Sequence, residues 1–120
     1  MTKIFPLLLA IFSFAGNSLA EEKCALQRGK ASWYHESQGT ASGGHFDPNG
    51  MTAAHRTLPF GTLVRVTNVC SQCSAIVRIN DRGPFTKGRI IDVSKAAARE
   101  LQMISSGTAT VILEVVSPPD

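Results

Sequence analysis

The sequence predicts an all-β domain, a compact barrel or sandwich carrying one short helix. Two segments, Thr62-Leu-Val-Arg-Val-Thr-Asn68 and Ala75-Ile-Val-Arg-Ile-Asn80, alternate β-branched apolar residues with polar ones. A period of two marks a strand with one buried face, here Val64 and Val66 in the first and Val77 and Ile79 in the second. A third segment, Thr108-Ala-Thr-Val-Ile-Leu-Glu-Val-Val116, is apolar enough to be a well-buried strand. Against these stands one alanine-rich run, Lys95 to Leu101, too short to hold as a helix unless it docks on the sheet.

Taken from the N-terminus, the first twenty residues fall outside this fold. Lys3, the apolar run Ile4 to Phe14 and the small residues of Ser18-Leu19-Ala20 have the layout of a secretory signal cut after Ala20. The run is shorter than the ~20 residues of a spanning helix. Cys24 sits behind Glu21, Glu22 and Lys23 and not directly at the cleavage site, so an exported chain is expected and not a lipoprotein. Its destination is the periplasm or the cell exterior. Cleavage leaves 100 residues, enough for one domain over 21–120, with 11 basic and 9 acidic side chains. The basic residues are scattered, which excludes a nucleic-acid or polybasic membrane patch.

Lys30-Ala-Ser-Trp-Tyr34 is the first strand, and the polar, glycine-rich stretch from His35 to Gly50 is a long loop of the kind that carries function. The two alternating strands read as a hairpin joined at Cys70–Cys73. Ile90-Ile-Asp-Val93 is a short strand, and Ser94 is a good N-cap for the helix that follows. Three cysteines bound for an oxidising compartment, Cys24, Cys70 and Cys73, suggest one disulfide and one leftover thiol. The pairing expected here ties Cys24 to the turn. Cys70-Ser-Gln-Cys73 can also be read as a redox or metal pair, but it lies in a turn between strands and lacks two further zinc ligands nearby.

Three segments resist explanation by packing alone. Asn80-Asp81-Arg82-Gly83-Pro84-Phe85 holds a carboxylate at a strand end on a rigid turn, as a turn cap or as an acid. Met51-Thr-Ala-Ala-His55 ends on a histidine that by itself says little. Thr40-Ala-Ser-Gly-Gly-His-Phe-Asp47 is a glycine-rich loop with polar groups. His35, His45 and His55 sit on separate stretches with no metal-ligand spacing, so no metal and no cofactor are expected.

Together these segments resemble the RlpA-like family, double-psi β-barrels related to expansins. The likeness extends through Ala31-Ser-Trp-Tyr34, Thr57-Leu-Pro-Phe-Gly61, Gly88-Arg-Ile-Ile-Asp-Val-Ser94 and Gly107-Thr-Ala109, in order over about residues 29–116. The resemblance implies a six-stranded double-psi barrel with one or two short helices. It also implies a monomer acting on peptidoglycan glycan strands as a lytic transglycosylase, cutting between MurNAc and GlcNAc with closure of a 1,6-anhydro ring. On it, Asp81 is the acid and His55 its orienting partner. Such an acid needs a carboxyl group raised by burial or by a neighbouring charge. An intramolecular nucleophile explains why one carboxylate suffices where hydrolysis uses two. Trp33, Tyr34, His45, Asp47, Asn80 and Arg82 are the candidate substrate contacts, with one of Trp33 and Tyr34 expected in the core. Where the family often carries a glutamate this chain has Gly44, so a non-catalytic, expansin-like wall-binding module is the alternative. Asp92 is expected to serve structure at the strand–helix junction.

Overall fold

The computed structural model describes residues 26–34 and 50–119. Six strands and one helix follow in the order β1 (Leu26–Tyr34), β2 (Thr52–Ala54), β3 (Leu63–Asn68), β4 (Ser74–Asp81), β5 (Arg89–Ser94), α1 (Lys95–Glu100) and β6 (Thr108–Ser117). They close into a barrel in the spatial order β1-β5-β2-β4-β3-β6. The pairs β1–β5 and β2–β4 are parallel and the others antiparallel. Closure leaves no edge strand among the described residues.

Alternation sets the inside. Val64, Val66, Val77 and Ile79 are fully buried, while Arg65 and Arg78 between them are exposed. Ala31, Ala53, Ile91, Val93, Val111 and Leu113 complete the interior, and the small alanines fit the narrow bore. The expected hairpin forms, with Val64 opposite Val77 and Val66 opposite Ala75. Ser94 caps α1, its hydroxyl oxygen accepting from the Ala97 amide at 3.2 Å while it donates to the Gly50 carbonyl at 2.7 Å. Ala97, Ala98, Leu101 and Met103 then seal the barrel, which is how so short a helix holds. One strand, β2, lies where the sequence showed none. Its three residues alternate too little to register as a pattern.

Candidate active site

The site is built on a register. Ser32 of β1 lies opposite Asp92 of β5. Asp92 in turn lies opposite Ala54 of β2, and Ala54 opposite Asp81 of β4. Residues directly opposite in a sheet share a face, so these four form one row across four neighbouring strands. Their chain neighbours Ala31, Ala53, Ile91 and Val93 fill the core, so the row looks outward.

Asp81 owes its place in the row to a bulge. Ala53 pairs with Ile79, yet Ala54 pairs with Asp81, which leaves Asn80 as an extra residue. In an uninterrupted ladder Asp81, two positions after Ile79, would share its inward face. The extra residue turns it outward. At the bulge, the Oδ1 of Asn80 is buried with no hydrogen-bond partner among the described residues.

Side chains around the row are polar and held. Ser32 Oγ donates to Asp92 Oδ1, and Arg89 reaches Ser32 Oγ at 3.4 Å. Tyr34, two residues beyond Ser32 and on the same face, pairs its hydroxyl with Thr52 Oγ1 at 3.0 Å. Burial is the main reason its phenol lies above the ordinary 10.0, with the charges of Asp81 and Asp92 adding to the effect. The phenol is therefore neutral at any physiological pH and stands within the field of both carboxylates. Trp33, half-buried, points the other way and packs against the core.

Two arginines brace the loops on either side. Arg82 donates to the carbonyls of His55 (3.1 Å) and Leu58 (2.8 Å), and its guanidinium stacks 4.1 Å from the Phe60 ring centre. Arg56 donates to the carbonyls of Pro84 (2.6 Å), Thr86 and Arg89 (both 3.1 Å). Each arginine sits on one loop and ties down the other. Asp81 Oδ1 accepts the Arg82 amide at 2.9 Å, so the carboxylate also caps its own turn. Gly83, at φ +122°, adopts a backbone that side chains rarely tolerate, and a Cβ there would meet the Phe85 ring at 3.6 Å.

His55 meets Asp81 through the backbone, its amide donating to the Asp81 carbonyl at 3.1 Å. The imidazole is engaged elsewhere. Its Nδ1 accepts the amides of Thr57 and Leu58, both at 3.2 Å, so the proton sits on Nε2, which faces Gln27 Oε1 at 3.0 Å. Burial, then Arg82 and Arg56, hold its pKa below 6.5. A neutral ring locked in one tautomer organises the loop that carries Arg56 and receives Arg82. It also lines a cleft of about 200 Å³ with Gln27, Arg56 and Ile90, and a second of about 270 Å³ walled by Leu26, Leu58, Leu113 and Val115. Asp81 lines neither cleft.

Of the sequence candidates, then, Asp81 and Tyr34 come together on the outer face, Asn80 forms the bulge between core and site, and Arg82 is a brace. His45, Asp47, Gly44 and Cys24 lie outside the described residues, as does the leader. Asp92 and Ser32 complete the row but were not singled out as site residues. Only the pairing of strands distant in sequence brings Asp92 alongside Asp81. Among the described residues no cluster of three or more His, Cys, Asp or Glu side chains could hold a metal, and no helix is long and apolar enough to cross a membrane.

Comparison with known proteins points to one group. A family model described as lytic transglycolase matches residues 26–113. The chain is 57% identical over 94 residues to a probable endolytic peptidoglycan transglycosylase RlpA of Nostoc sp., a match covering 74% of this chain and 25% of that protein. It is 52% identical over 95 residues to the endolytic peptidoglycan transglycosylase RlpA of Neisseria meningitidis serogroup A, covering 77% and 40%. The chain thus spans a quarter to two fifths of the length of these relatives. Among solved structures, the Streptomyces papain inhibitor is similar at TM-score 0.62 and 21% identity, over 74% of this chain and 92% of that one. An apo Clavibacter michiganensis expansin is similar at TM-score 0.62 and 20% identity, over 79% and 52%. Both likenesses are of fold.

Proposed function

Because this chain belongs to the lytic transglycolase family of double-psi β-barrels, we propose that it cleaves the MurNAc–GlcNAc bond of peptidoglycan strands and leaves 1,6-anhydroMurNAc ends. The observation that carries this reading is the outward placement of Asp81, turned from the core by the bulge at Asn80, beside Asp92 and Tyr34. Asp81 gives its proton to the leaving glycosidic oxygen as the C1–O bond breaks. The muramyl C6 hydroxyl closes on C1, and its proton passes to Asp81. One bond breaks, one forms, no water enters, and the acid is restored. The neutral Tyr34 hydroxyl is a donor for sugar oxygens. His55 and Arg82 are positioning residues that hold the Asp81 turn against the 55–60 loop. The leader-like first twenty residues and a substrate outside the cytoplasm support export.

Peptide-free glycan strands, digested and analysed by mass spectrometry, test this. The wild type should release 1,6-anhydromuramyl products and Asp81→Asn should not. Failure of the wild type where an established lytic transglycosylase succeeds would overturn the reading. If the inactive protein nonetheless sediments with purified sacculi, and still does so as Asp81→Asn, the expansin-like binding module stands in its place. Gly44 in the family's glutamate position is what motivates that second reading.

A further inference from the structure

The turn between β3 and β4 has no part in the glycan site, yet it is among the most carefully tied segments of the molecule. Asn68, 4% exposed, receives the amides of Cys70 and Ser71 on Oδ1 and donates from Nδ2 to the Leu101 carbonyl at 2.8 Å. Ser71 Oγ donates to the same carbonyl at 3.3 Å and accepts the Cys73 amide at 3.2 Å. The Gln72 amide reaches back to the Asn68 carbonyl at 2.7 Å, and Gln72 itself takes φ +65° to return the chain toward β4. The polar side chains of Asn68 and Ser71 are thus engaged with the turn's own backbone and with the end of α1. Cys70, exposed, and Cys73, half-buried, are both free thiols on this frame.

Three residues apart, with the chain doubling back at Gln72, Cys70 and Cys73 lie inside the roughly 10 Å that three extended residues span, on a turn compact enough for the Cα separation of about 4.4–6.8 Å that a disulfide bridges. A bridge from Cys24 would have to span the distance from the start of β1. β1 and β3 flank β6, where Leu26 lies opposite Glu114 and Asn68 opposite Val111. Three residues along β6 and two strand spacings put the Leu26 and Asn68 Cα atoms roughly 14 Å apart, and Cys70 lies beyond Asn68. Two residues of chain carry Cys24 at most about 7 Å from Leu26.

We propose that Cys70 and Cys73 form a thiol pair that closes an intra-turn disulfide by exchange with a disulfide donor, and that Cys24 is not their partner. The exposed Cys70 thiolate attacks the donor disulfide, releasing one donor thiol and forming a mixed disulfide. The Cys73 thiolate then attacks the Cys70 sulfur and releases the second donor thiol. Two thiols lose two electrons and two protons, and the donor disulfide gains them. Closure staples the hairpin tip that holds the end of α1. Among the described residues no third metal-ligating side chain joins the pair. The proposal is independent of the glycosidic chemistry.

The test uses the reduced, purified full chain, oxidised glutathione as donor, an acid quench, alkylation and tryptic mapping. Cleavage after Arg65 and Arg78 leaves both cysteines in one peptide, and cleavage after Lys23 and Arg28 isolates Cys24. The expected product is the 66–78 peptide two hydrogens lighter, carrying neither alkyl group nor glutathione, in the wild type and in Cys24→Ser alike. Cys73→Ser should trap glutathione on Cys70, whereas Cys70→Ser should carry several-fold less on Cys73. A cross-link between the 66–78 and 24–28 peptides, or separate adducts on Cys70 and Cys73 in the wild type, would overturn the proposal. Either result leaves the activity assay on glycan strands unaffected.

Discussion

The two ends of β4 make opposite use of one strand. From Ser74 to Ile79 it alternates without interruption against β3, burying Ala75, Val77 and Ile79 in the bore and exposing Ile76 and Arg78. At Asn80 the count slips by one against β2, and Asp81 emerges on the face that the alternation would have denied it. Regular pairing serves the core, and the slip serves the site. A carboxylate placed in phase with Ile79 would have met a dry interior at a cost of several kcal/mol. Leaving Asn80 unpaired sets it instead on an outward row with Asp92.

Breaking the slip should have the largest effect. Inserting one alanine between Asn80 and Asp81 puts the alanine opposite Ala54, aims Asp81 at the core, and is expected to remove product formation as completely as Asp81→Asn does. For a general acid that loss is on the order of 10²- to 10⁴-fold in turnover on peptide-free strands. The two variants should differ in stability. Asp81→Asn should melt close to the wild type, and the insertion well below it. If the insertion keeps turnover, the bulge register does not aim the acid. At the regular end, Val77→Ala should cost about 2 kcal/mol in denaturant unfolding while changing turnover little, so core and site separate along one strand.

The bracing arginine should fall between these. Arg82→Lys keeps a charge but loses the planar fork that spans the His55 and Leu58 carbonyls, at about 1–2 kcal/mol of stability and a lower kcat. A variant indistinguishable from wild type in both would remove Arg82 from the positioning role. The smallest effect is a pH dependence. Because the pKa of His55 is held below 6.5 in the folded state, its contribution is complete above pH 6.5 and is lost as pH falls through its folded value. Melting temperatures measured from pH 7.5 to 5.5 should fall less steeply in His55→Gln than in the wild type, whatever that variant's offset at pH 7.5.

Much of the fold could be read from the chain because local rules and the final structure agree. The period of two in β3 and β4, the apolar run of β6 and the Ser94 cap each depend on residues only a few positions apart. β2 could not be read, since Thr52-Ala-Ala54 is strand only because β4 and β5 lie on either side of it. The site was legible in part. The turn chemistry of Asn80 to Phe85 marked Asp81 as a rigidly held carboxylate, a turn cap or an acid, but not the face it takes, because a bulge is defined by the partner strand. Asp92 looked like junction scaffolding for the same reason, with its neighbours Ser32 and Ala54 far away in sequence.

By itself, then, the sequence determined the class of fold, the buried faces of its regular strands, the helix start and the rigid turn that carries the Asp81 carboxylate. Each of these is set by sterics and hydrophobic periodicity within a short window. Tertiary structure alone decided that Asp81 looks outward on the row of Asp92 and that the His55 ring serves the loop. Those depend on register between distant strands, and a shift of one residue there reverses the face of every side chain that follows.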